Sequence, residues 1–197
     1  VNDYIDDMKL ETKSIVFVRS NIAHGTITSI NIEDAVGMPG VLGVYTSDNT
    51  DLPTVPLFAM MPPNLNRPAL AKGKVRFVGD IIAMIVAETQ TQAADAAEQV
   101  WADIEPIDVV IDIESAAAAP PIFDDAESNV CFVTNFPLSE DGAPIDIDPL
   151  EGADHVASVK MLTQRLAGAP IEPNGAVAIP NEPAGGLTLW CSNQGPH

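Results

Sequence analysis

The sequence predicts an α+β fold, and three observations carry that prediction. Short runs rich in β-branched and aromatic residues recur through residues 1–113, separated by turn-forming glycines and prolines. Among them lies one convincing helical stretch, TQTQAADAAEQV at 89–100. From residue 114 the texture changes to alanine, proline and acid, so a second region is expected beyond that break.

The elements follow in order. SIVFVRS (14–20) is a β-rich run and TITSINI (26–32) alternates polar with apolar, while IEDAVGMPG (32–40) reads as a short helix stopped by Pro39 and Gly40. VLGVYT (41–46) is the next strand, followed by a proline-rich loop, DLPTVPLFAMMPPNLNRP. KVRFVGDIIAMIVAE (74–88) holds two β-like runs divided by a turn signal at Gly79 and Asp80. In the helix that follows, Thr89 or Thr91 can cap the first turn, and Ala93, Ala96, Ala97 and Val100 share one face. DIEPIDVVIDI then returns the chain to extended structure.

ESAAAAPPIFDDAESN (114–129) reads as a linker, because Pro120 and Pro121 block a helix, and the chain stays loop-like to about residue 150. HVASVKMLTQ, NGAVAIP and GLTLWCS are expected as strands between proline- and glycine-containing turns. The resulting division is a domain at 1–113, a linker and extended loop at 114–150, and an incomplete domain at 151–197. Three strands and their loops form a marginal core by themselves, and the ending QGPH supplies no closing element.

Composition narrows the function. With 46% apolar residues in 197, the chain is expected to be globular. Its formal charge of −19, from 28 acids against 9 bases, argues against a nucleic-acid partner, which needs a basic face for phosphates. The longest apolar run, IIAMIVA, falls far short of the roughly 20 residues of a membrane span. The acidic start, VNDYIDDMKLE, is unlike a secretory leader, so a cytoplasmic location is expected. Cys131 and Cys191 lack CxxC spacing and nearby histidines, which argues against zinc and iron–sulfur sites and for two small buried hydrophobes.

The segment QRLAGAPIEPNG (164–175) interrupts this β region and reads as a site or a turn. Glu172, between Ile171 and Pro173, invites a general-base reading, since a dry setting raises a carboxyl pKa. The plainer reading is that it holds a loop through backbone hydrogen bonds or pairs with Arg165. His24 lies between β runs and reads as a structural histidine, and His155 and His197 have no ligand partners at useful spacing. DIDPLEGAD lacks the glycine and terminal glutamate of an EF-hand, and no nucleophile stands with a recognisable histidine and acid.

Two long stretches carry a family resemblance. RPALAKGKVRFVGDIIAMIVAETQTQAADAAEQVWADIEPIDVVIDIESA, with FVRSNIAHGTITSINIEDAVGMPGVLGVYTSDN before it, resembles the α/β hammerhead domain of the xanthine dehydrogenase, aldehyde oxidase and aerobic carbon monoxide dehydrogenase family. HVASVKMLTQRLAGAPIEPNGAVAIPNEPAGGLTLWCSNQGPH is similar to the start of that family's molybdopterin-binding region, whose pattern includes Gln-Arg, Pro-aliphatic-Glu and a Gln followed by Pro-His.

The resemblance implies the N-terminal segment of a molybdenum hydroxylase large subunit, which oxidatively hydroxylates an aldehyde, an N-heterocycle or carbon monoxide. The molybdenum–molybdopterin cofactor belongs to the complete enzyme, with iron–sulfur and FAD centres on partner subunits. This segment alone is expected to hold none of them. It lacks the family's Gly-Gly-Phe-Gly segment and its catalytic glutamate, so no catalytic residue is assigned here. Gln164 is the implied cofactor-binding residue, a neutral amide able to donate without adding charge. Gln194 resembles another cofactor-domain position. Implied partners are the remainder of the large subunit, the iron–sulfur and flavin subunits, and a second copy of the assembly. The alternative is a short non-catalytic relative acting as an assembly or binding module.

Overall fold

A computed structural model describes residues 4–5, 10–55, 62–133, 148, 150–164, 166–181 and 185–193. The chain divides into a larger unit, Lys13–Ile145, and a smaller one, Val1–Thr12 with Asp146–His197. Helices and sheets are mixed, with strands predominating among the described residues.

In the larger unit β1 (Ser14–Arg19), β2 (Gly25–Asn31), α1 (Glu33–Val36) and β3 (Val41–Thr46) come first. Then follow β4 (Thr54–Val55), β5 (Arg67–Pro68), β6 (Lys74–Val75), β7 (Ile81–Ala87), α2 (Gln90–Ala97), β8 (Trp101–Pro106) and α3 (Ile113–Ala116). β7 is the centre of an antiparallel sheet in the order β1-β7-β3. Its sequence, IIAMIVA, carries no charge, so it can be flanked on both edges without burying an ion. β2 is the centre of a second antiparallel sheet, β6-β2-β8.

One face of the β7 sheet is filled by the helices. Ile85, Ala83, Ala87 and Val44 pack against Ala93, Ala96 and Val100, with Ala35 of α1 in the same cluster. Alanines on α2 bring its backbone close to the sheet, and Ile85 is fully buried there. Burial of such a side chain is worth about 1.5–3 kcal/mol. α2 starts at Thr89, whose Oγ1 accepts the Gln92 N–H at 3.3 Å. Gly40 turns the chain into β3 at φ +80°, and its carbonyl accepts the Glu88 N–H at 2.9 Å.

The alanine- and proline-rich stretch after β8 is tied down. Asp112 caps α3 by accepting the Ser115 N–H at 3.1 Å. Asn129 donates to the carbonyls of Ala116 at 3.0 Å and Pro120 at 3.0 Å, and its Oδ1 accepts the Ile122 N–H at 2.8 Å. Arg76 stacks over the Phe123 ring at 4.7 Å, Lys74 pairs with Asp124, and Asn64 donates to the Asp125 carbonyl at 3.0 Å. Residues 122–125 are therefore strapped to β6 of the second sheet and its flanking residues, while Asn129 closes the loop that leads to them.

Three extended runs differ from expectation. KVRFV is a strand only at Lys74–Val75, because Asp80 accepts the Arg76 N–H at 3.0 Å and Gly79 turns at φ +97°. DIEPIDVVIDI leaves the sheet after Pro106 and winds into α3 at its end. HVASVKMLTQ is irregular at 155–164: its alternation suits a strand, but among the described residues no strand pairs with it.

The smaller unit contains an antiparallel hairpin, β9 (Gly175–Pro180) and β10 (Leu187–Ser192), with Trp190 opposite Val177 and Leu189 opposite Ala178. The Asn181 N–H donates to the Gly186 carbonyl at 3.1 Å where the turn begins.

Candidate functional site

The segment 164–175 begins in irregular structure and runs into β9. Gln164 is exposed there, with no hydrogen bond to its amide among the described residues. Arg165 lies outside the described residues, as do Gln194 and His197. Ala169 takes φ 41° immediately before Pro170. A residue with a Cβ is strained in that region, by about 1 kcal/mol or more, and a following proline adds to the restriction.

Glu172 is half-buried, and its Oε1 accepts the backbone N–H of Ile5 at 3.0 Å. The carboxylate thus ties the segment to a stretch of chain 167 positions away. The Ile5 side chain lies beside Gly175, where a Cβ would meet Ile5 Cδ1 at 3.8 Å. A backbone amide partner leaves no signature in the sequence, so the Ile5 contact was not legible there.

His24 is held as a structural residue: its Nδ1 donates to the Asp108 carbonyl at 3.0 Å. No three His, Cys, Asp or Glu side chains gather into a metal-binding group among the described residues. The cysteines differ from the expected buried pair, with Cys131 half-buried and Cys191 exposed on β10; neither forms a disulfide. Cys191 is open because nothing described covers its face of the hairpin.

The same openness holds for the described residues of 150–193. None of the described side chains there is buried, and Met161 (82%), Leu162 (84%) and Ile171 (91%) stand almost fully exposed. A large cofactor needs an enclosing wall and several converging polar groups. Gln164 supplies one amide on an open segment, so these residues do not by themselves enclose a molybdopterin.

A larger unit of three small antiparallel sheets, one of them covered on a face by α1 and α2, followed in sequence by an open hairpin, defines a mixed α+β chain whose second part has no core among the described residues. Its kinship is specific. Residues 2–108 match the a/b hammerhead domain of aldehyde oxidase and xanthine dehydrogenase, and residues 122–197 match the molybdopterin cofactor-binding domain. The chain belongs to the aldehyde oxidase and xanthine dehydrogenase family.

Among its relatives are the nicotine 6-hydroxylase large subunit of Paenarthrobacter nicotinovorans, 30% identical over 98% of this chain and 24% of that protein. The carbon monoxide dehydrogenase large chain of Afipia carboxidovorans is 34% identical over 99% of this chain and 25% of its own. The quinoline 2-oxidoreductase of Pseudomonas putida 86 shares the fold at a TM-score of 0.78 with 28% identity, over 98% of this chain and 25% of its own. This chain therefore spans about a quarter of each of these three relatives.

Proposed function

We propose that this chain is the N-terminal segment of a molybdenum hydroxylase large subunit, acting in the cytoplasm and inactive by itself. The observation that carries the reading is the exposed apolar surface of the described residues of 150–193, where Met161, Leu162, Leu166 and Ile171 find no core among the described residues. Such surface is stable only when further structure covers it. The relatives, four times as long, have that further structure to offer.

In such a subunit the molybdenum cofactor supplies the redox chemistry of hydroxylating an aldehyde, an N-heterocycle or carbon monoxide. The residues here shape the surroundings. The hammerhead unit is a rigid support, Glu172 fixes the segment that follows Gln164, and Gln164 offers a neutral donor to the cofactor. Iron–sulfur and flavin centres on partner subunits would supply the route for electrons. The catalytic base is supplied from outside these residues.

The test is the composition of the complex purified from native cells. Molybdenum, iron and flavin present in fixed ratio to this polypeptide support the reading, and a metal-free, flavin-free polypeptide refutes it. In that complex Gln164→Ala is expected to slow turnover more than it reduces molybdenum content. Unchanged turnover, with loss on Gln194→Ala instead, would move the cofactor contact to Gln194.

A further inference from the structure

Positive charge is concentrated in one part of this acidic chain. Of its 9 bases and 28 acids, residues 52–87 hold four bases, Arg67, Lys72, Lys74 and Arg76, against one acid, Asp80, which is buried. Lys74 and Arg76 pair with Asp124. Arg67 and the neighbouring Arg19, at the end of β1, have no ion pair among the described residues. Acids are abundant enough for a carboxylate to stand beside each, and among the described residues none does.

Both arginines flank the turn between β6 and β7. The Asp80 N–H closes it by donating to the Phe77 carbonyl at 3.1 Å, and Asp80 Oδ2 accepts the Arg76 N–H at 3.0 Å. Ser20 clamps its far side: the Gly79 N–H donates to the Ser20 carbonyl at 2.7 Å, and the Ser20 N–H to the Asp80 carbonyl at 2.8 Å. The turn is thus fixed by its own hydrogen bonds, and its tip is apolar, with Val78 64% exposed and Phe77 39%. Arg19 donates from Nη1 to the Gly79 carbonyl at 2.9 Å. Arg67 lies over the Phe77 ring at 5.3 Å, and its Nε has no hydrogen-bond partner. An arginine on an aromatic ring, held in place beforehand, is the composition of an interface hot spot and loses little freedom on binding.

We propose that this turn docks onto a separate, acidic polypeptide of the complex, with Val78 entering an apolar socket and carboxylates of that partner pairing with Arg19 and Arg67. The placement rests on the reading given under Proposed function, which supplies the other subunits. Charge complementarity selects the partner's chemistry, because a guanidinium takes a carboxylate through two parallel hydrogen bonds. It also selects a separate chain. Attraction between opposite charges steers the encounter of freely diffusing molecules, which a segment tethered in the same polypeptide does not need. Outside residues 52–87 the chain is strongly acidic and repels such a partner, so the turn fixes where it docks.

The experiment is photo-crosslinking in the complete native complex, with Val78 replaced by the photoreactive analogue benzoylphenylalanine. The mass of the native polypeptide and the identity of its copurifying chains are measured first. A polypeptide of 20.8 kDa that copurifies with no other chain defeats the large-subunit reading and this proposal with it. Otherwise, a crosslink from position 78 to a different polypeptide, at a segment bearing aspartate or glutamate, supports the proposal. A crosslink within the same polypeptide, to a second copy or to a segment without carboxylates, or no crosslink at all, overturns it and leaves the large-subunit reading intact. A second variant, Arg67→Glu, is expected to raise the dissociation constant of that partner about ten-fold or more at low salt, with a smaller difference at high salt. Equal affinity at low salt also overturns the proposal.

Discussion

The carboxylate of Glu172 accepts the backbone N–H of Ile5 at 3.0 Å, across 167 positions of sequence. A half-buried carboxylate engaged by an amide is a tie between chain segments. It holds the start of β9 to the N-terminal stretch, beside Gly175. A hydrogen bond of this kind contributes about 1 kcal/mol or somewhat more. Glu172→Ala is therefore expected to speed hydrogen exchange at the Ile5 amide by about five-fold or more. Exchange unaltered by the substitution would show that the tie has no weight.

The core around Ile85 gives the sharpest stability prediction. Ile85 is fully buried between α2 and its neighbours in β1 and β3. Ile85→Ala should cost about 2–5 kcal/mol, from lost transfer energy and the cavity left behind. Chemical denaturation followed by the fluorescence of Trp101 measures it. A loss under about 1 kcal/mol would contradict the packing described.

Much of this larger unit was legible in the sequence. IIAMIVA read as a strand because it is short, apolar and uncharged, and it became the central strand. Thr89 and the alanine pattern gave α2 its start and its buried face. The strap was not legible, because Asn129 works through backbone carbonyls whose positions no local pattern reports. HVASVKMLTQ misled for a related reason: alternation shows that a segment can form a strand, while a strand exists only beside a partner. Gln164 was legible as a resemblance and has no geometry of its own that marks a site.

Asn129 makes the strap a testable object. Asn129→Ala removes its bonds to Ala116, Pro120 and Ile122 together. Proteolysis between residues 116 and 130 should then accelerate several-fold while β7 and α2 stay intact. Cleavage at the unaltered rate would mean that the Arg76 and Lys74 contacts hold the strap without it.

The Lys74–Asp124 pair adds a small pH dependence. The hydrogen bond from Lys74 keeps the Asp124 carboxyl below its ordinary value, against a smaller opposing effect of burial. A carboxyl depressed in the folded state stabilises above its unfolded pKa, and that contribution disappears as pH falls through the folded value. The strap should therefore loosen below about pH 4, and not between pH 5 and 8. Asp124 is largely exposed, so the effect is about 0.5 kcal/mol at most. Asp124→Asn should abolish that part of the acid response in a urea titration repeated across pH, and an unchanged response would assign it to other carboxylates.

The central claim is that these residues are one part of a molybdenum-dependent large subunit. Its most direct test is the intact mass and molybdenum content of the native polypeptide that carries them. The account predicts a mass several times 20.8 kDa with molybdenum bound. A native polypeptide of 20.8 kDa without molybdenum would contradict it.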